Sequence, residues 1–107
     1  LNLNNLQLKT LALFQELGRH PQTSSRKEVT GEVLISNIPT PHGDHFHLGA
    51  AIVSGRDATG LRNPAVWAAL ERKGLVKSAF PLAITLTPAG VAYDVGPAKS
   101  ILHGADH

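Results

Sequence analysis

Six of the 107 residues are histidine, and three of them fall in the run His42-Gly43-Asp44-His45-Phe46-His47. Neutral imidazole is a metal ligand and titrates near neutrality, so this H-x-x-H-x-H stretch is where the chain concentrates its chemistry. On a strand, His45 and His47 point to the same face, because side chains alternate with period two. Phe46 then faces the opposite way and buries. His42 can fold back from the preceding loop, with Gly43 easing the turn. The chain has no cysteine, so any metal must take nitrogen or oxygen ligands. Three imidazoles at ~2.0–2.1 Å leave a fourth position for Asp44, His20, His103, His107 or water. The competing reading is three solvated loop histidines. A zinc-bound water could be hydrolytic, but Asp44 and Glu32 are the only evident bases. No nucleophile elbow and no glycine-rich phosphate loop is present. The expectation is a non-enzymatic protein with zinc as its candidate cofactor.

A second set of residues could meet phosphate or base edges: Arg56, Arg62, Asn63, Arg72 and Lys77. They surround the best-defined element of the chain. Asn63-Pro64 supplies a favourable N-cap followed by proline at N1. Ala65-Val66-Trp67-Ala68-Ala69-Leu70 are largely good helix formers. Arg72 and Lys73 complement the C-terminal dipole, and Gly74 is placed to end the helix. Val66 and Leu70 should face the core, and Trp67 should lie in the core or a dimer interface. Asn63 and Asp57 read first as helix caps.

The remaining elements follow from spacing. Leu3, Leu6, Thr10, Leu13, Phe14 and Leu17 predict a first helix capped by Asn2 or Asn4 and ending at Gly18 before His20-Pro21. Residues 22–28 read as a loop. Residues 29–38 and 46–53 read as strands joined into one β-hairpin by a long connection. Ser54-Gly55-Arg56-Asp57 has the spacing of a capping box, opening a short helix that Gly60 interrupts. Residues 76–80 and 82–86 read as two short strands around Pro81. Thr87-Pro88 starts a short helix to Ala92 or Tyr93, with a strand over 91–95 as its rival.

From Ser54 to Gly90 the chain resembles the winged helix-turn-helix superfamily, over 37 residues. The residues that carry the likeness are Ser54-Gly55-Arg56-Asp57-Ala58, then Asn63-Pro64-Ala65-Val66-Trp67-Ala68-Ala69-Leu70-Glu71-Arg72-Lys73-Gly74-Leu75-Val76, then Leu86-Thr87-Pro88-Ala89-Gly90. This turn, two-stranded wing and Leu-Thr helix start are similar to those of MarR-like and PadR-like regulators. The resemblance implies an α+β fold: a winged-helix-like three-helix core with a small β-sheet, here with the β-hairpin at 29–53 as an insertion. It implies DNA binding or transcription regulation by a cytoplasmic homodimer. Arg56, Arg62 and Lys77 would contact phosphates of double-stranded DNA, and Asn63 and Arg72 base edges. An alanine-rich helix face and an apolar wing fit the alternative, a protein-interaction or dimerisation domain without DNA binding. The histidine run locally resembles the zinc-binding histidine-triad motif of streptococcal surface proteins, over six residues. That likeness names His42, His45 and His47 as ligands, of a metal-responsive regulator or of a zinc-binding module in its own right.

Composition bounds these readings. The length fits a single domain over 1–107. Hydrophobic residues make up 42% and charged residues 17%, which excludes a disordered polyampholyte. No apolar run reaches the ~18 residues of a membrane span, so no membrane partner is expected. Leu1-Asn2-Leu3-Asn4 has no signal-peptide pattern. The net charge of +2 is a weak pull towards anions. Residues 97–107, after Gly96-Pro97, read as a flexible tail.

Overall fold

The computed structural model describes residues 2–40, 43–48 and 51–103. Its fold is α+β, built on an antiparallel sheet. Helix α1 (Asn5–Leu17) opens with a complete capping box. The Asn4 side chain accepts from the Gln7 amide, and the Gln7 side chain accepts from the Asn4 amide. Two orphan amides of the first turn are thereby satisfied. Four strands follow, β1 (Ser24–Lys27), β2 (Glu32–Ile35), β3 (His45–Leu48) and β4 (Ala51–Ser54). A 3-10 helix (Gly55–Arg62) leads into α2 (Pro64–Arg72), then β5 (Val76–Ala79), β6 (Ala83–Leu86), α3 (Pro88–Ala92) and a second 3-10 helix (Gly96–Ile101).

The main sheet has the order β1-β2-β6-β5, and β3 and β4 form a separate ribbon. Register sets the faces of the main sheet. Val33 pairs with Leu86 and Leu86 with Val76, while Ile35 pairs with Ile84. Directly paired residues share a face, so these five side chains form one apolar layer. All five are buried, in a single cluster with Leu11, Leu13, Phe14 and Leu17 of α1 and Val66, Trp67 and Leu70 of α2. The alternate face carries Lys27, Glu32, Leu34, Thr85 and Lys77 and is polar or half-buried.

The first 3-10 helix packs tightly against α1. A Cβ built on Gly60 would lie 1.8 Å from the Thr10 hydroxyl oxygen, so no larger residue fits between the two segments. Lys9 joins them again through a 2.9 Å ion pair with Asp57. Asp57 is therefore not the partner of a capping box, and Ser54 makes no side-chain cap bond. After α2, Gly74 takes φ +77°, a conformation that a side chain disfavours, and the chain turns directly into β5. Thr87 caps α3 through the Gly90 amide, which decides for the helix over the rival strand.

Three expectations are corrected. Residues 29–53 do not form one inserted hairpin. The apolar row Val33 and Ile35 matches that of β6, so β2 joins the main sheet. Strands β3 and β4, separated by residues 49–50, pair with each other. The polar segment at 22–28 contributes a strand, β1, which needs only backbone pairing at an edge. Val29 lies in the β1–β2 turn, 99% exposed. The tail is ordered through His103: Pro97 serves at the start of a 3-10 helix, Ile101 and Leu102 are buried, and His103 pairs with Ile52.

Candidate functional site

The α2 helix exposes a row of small residues. Val66, Trp67, Ala69 and Leu70 are buried, leaving Ala65, Ala68 and Arg72 at i, i+3 and i+7 on the outer side. Glu71 does not add a free carboxylate to this row, because its Oε2 accepts from the Ser78 amide in β5. Arg72, Lys73 and Arg56 carry no ion pair or side-chain hydrogen bond among the described residues.

The other candidates are engaged. Arg62 spans three segments: one terminal nitrogen donates to the Pro81 carbonyl at 3.2 Å, the other to the Ile38 carbonyl at 2.7 Å and the Thr40 hydroxyl at 3.0 Å. This planar fork pins the turn of the β5–β6 ribbon to the start of α2 and to the segment after β2. Its acceptors are neutral, so its charge stays uncompensated. Asn63 caps α2, its Oδ1 accepting from the Ala65 amide at 3.0 Å. Lys77 forms an ion pair with Glu32 across β6, and that hydrogen-bonded ammonium holds the Glu32 carboxyl below its ordinary pKa.

Aromatic packing reinforces the Arg62 link. Trp67 is fully buried, with ring centroids 5.4 Å from Phe14 and 4.8 Å from Phe80, both close to perpendicular. Its indole nitrogen has no hydrogen-bond acceptor among the described residues. Phe80, 37% exposed, thus covers Trp67 with one side and meets solvent with the other, beside Leu82 at 79%.

The histidines occupy the opposite kind of setting. His45 and His47 share the exposed face of β3, paired with Ser54 and Ile52, and their ring centroids are 6.3 Å apart. Phe46 and Leu48 bury on the other face. His103, through its bridge to Ile52, adds a third segment to this face. His42 lies outside the described residues, as does His107. His20 follows α1, where its Nε2 bonds Glu16 at 2.8 Å. Among the described residues, no group of three His, Asp or Glu side chains is placed to hold a metal ion. His45 and His47 are therefore brought together as a pair on one exposed face, and not as part of a larger ligand set among the described residues.

Sequence reasoning passed over Glu16, a buried carboxylate that binds Arg19 and His20, both at 2.8 Å. The i, i+3 and i, i+4 spacing was its available signal. The three-way grip of Arg62 had none, because its acceptors, two backbone carbonyls and the Thr40 hydroxyl, are distant in sequence. No helix of the described residues is long and apolar enough to cross a membrane. Compared with family models, curated proteins and solved structures, the chain matches none.

Proposed function

We propose that this protein is a winged-helix-like DNA-binding module without enzymatic activity, with α2 as its recognition helix and β5–β6 as its wing. The observation that carries this reading is the sheet order β2-β6-β5 with α2 running through the Gly74 turn into the ribbon. It supports the reading because a helix-turn-helix presents its second helix to the major groove, and α2 follows the first 3-10 helix directly. The outer row of α2 suits such a seat. Ala65 and Ala68 allow close approach and offer methyl contacts to thymine, and Arg72 can reach guanine or phosphate. Arg56 keeps its phosphate contact, Lys73 takes the place of Lys77, and Arg62 supplies charge while it holds the wing. A homodimer would double the few base pairs that one nine-residue helix can read.

The test is fluorescence anisotropy with a random-sequence duplex over a salt series. Arg72→Ala should weaken binding and reduce the salt slope by about one. No binding at the lowest salt would remove the DNA reading. A second reading would then take its place on the same surface, since Phe80 and Leu82 give the wing an apolar tip suited to a protein partner. The His45–His47 pair is proposed separately, as a zinc chelate that stiffens the ribbon.

A further inference from the structure

We propose a second binding site, for a small apolar carboxylate, in the cleft between α1, the inner edge of β1–β2 and the second 3-10 helix. The cleft has a volume of about 300 Å³, at the lower end of ligand sites and suited to roughly ten non-hydrogen atoms. Its floor is apolar, formed by Ala12, Val33, Leu86 and Leu102. Arg26 pairs with Val33 and so extends from the inner face of the sheet, while Lys99 comes from the second 3-10 helix.

These two cations have no ion pair or side-chain hydrogen bond among the described residues. Of the other charged lining groups, Arg19 pairs with Glu16, and Asp94 keeps its negative charge while the Gly96 amide, donating at 2.9 Å, holds it in the loop after α3, so the cleft's two cations without ion pairs outnumber its one anion. An anion placed over the floor would satisfy Arg26 and Lys99 together, with its alkyl portion on Val33 and Leu86. The wall is built in advance. Gln15 donates from its amide nitrogen to the carbonyls of Gly90 and Tyr93, at 2.9 and 2.8 Å, and so ties α1 to α3 and the loop after it. None of the residues proposed to meet DNA lines this cleft, so either proposal can fail alone.

The test uses the purified full chain, titrated with octanoate and, separately, with its uncharged analogue octanamide, followed by amide chemical shifts and calorimetry. Octanoate should saturate a single site, shifting Val33, Leu86 and Leu102, with the amide at least about tenfold weaker. The Arg26→Gln/Lys99→Gln variant, whose replaced side chains are exposed, should lose about tenfold for octanoate and nothing for octanamide. Equal affinity for the two ligands on the wild-type protein, shifts confined to other surfaces, or no saturation by about 5 mM would each overturn the proposal.

Discussion

The α2–wing region and the β3–β4 ribbon both carry polar side chains that sequence alone nominates for function, yet the fold treats them in opposite ways. In the first, Arg62, Asn63 and Lys77 all have intramolecular partners, and Trp67 joins α1 to the wing through Phe14 and Phe80. In the second, His45 and His47 stand on an exposed face, with Phe46 and Leu48 buried behind it. A donor placed where several segments converge is close to carbonyls that need it, and is taken up. A donor on the open side of a two-stranded ribbon meets mainly water. Availability for an external ligand therefore follows the local density of backbone crossings more than residue type.

The contrast should show most strongly at Trp67. Trp67→Ala removes a fully buried ring and leaves Phe14 and Phe80 without their shared neighbour, at an expected cost of about 3–5 kcal/mol in denaturant unfolding. For a domain of this size that is a large part of total stability. A cost below about 1 kcal/mol would mean that the wing and helix core are not one unit. Arg62→Ala comes next, at about 1–2 kcal/mol, since it deletes charge-assisted bonds to acceptors that water can partly re-solvate. Arg62→Lys should recover little, because one ammonium cannot serve three divergent acceptors. Full recovery by lysine would show that only the charge at this position matters.

The same contrast explains what could be read before the structure was known. The second helix was legible because its signals are local: Asn63-Pro64 at the start, Arg72-Lys73-Gly74 at the end. Strand character was legible at 29–38, where β2 lies, whereas 46–53 reads as one strand and forms two, β3 and β4; alternation says nothing about where a strand turns back or which strand is its neighbour. That choice rests on the match between Val33–Ile35 and Ile84–Leu86, some fifty residues away. Ser24-Ser25-Arg26-Lys27 carries no apolar pattern, so β1 could not be read at all. At the C-terminus, Gly96-Pro97 suggested a break, whereas Ile101 and Leu102 were the signal that the chain returns to the core. The site was legible in residue type and hidden in use. Arg62 was nominated for its charge, and only the convergence of Ile38, Thr40 and Pro81 shows what that charge holds.

The ribbon should behave as the reverse case. Exposed side chains with no partners contribute little, so His45→Ala/His47→Ala should change stability by no more than about 0.5 kcal/mol without metal. If the pair chelates zinc, micromolar zinc should raise the melting temperature of the wild-type protein and leave the double variant unmoved. An equal zinc response in both proteins would assign the effect to other residues.

The smallest expected effect falls on the Lys77–Glu32 pair, and it tests whether this exposed cation of the wing is held by its partner as Arg62 is. The pair depresses the Glu32 pKa in the folded protein. Its contribution is therefore complete at pH values above the unfolded carboxylate pKa of about 4.3. It is lost as the pH falls through the lower folded-state value. Wild type and Lys77→Ala should differ slightly in melting temperature at pH 7, converge once the pH has fallen through the lowered folded-state pKa of Glu32, and converge also in about 1 M salt, where a pair open to solvent on its lysine side is screened. A difference that persists at both extremes would point to packing of the lysine stem rather than its charge. No difference at any pH would place Lys77 with the ribbon histidines, a solvated group free to meet a phosphate, and would return it to the list of DNA contacts from which its pairing with Glu32 now removes it.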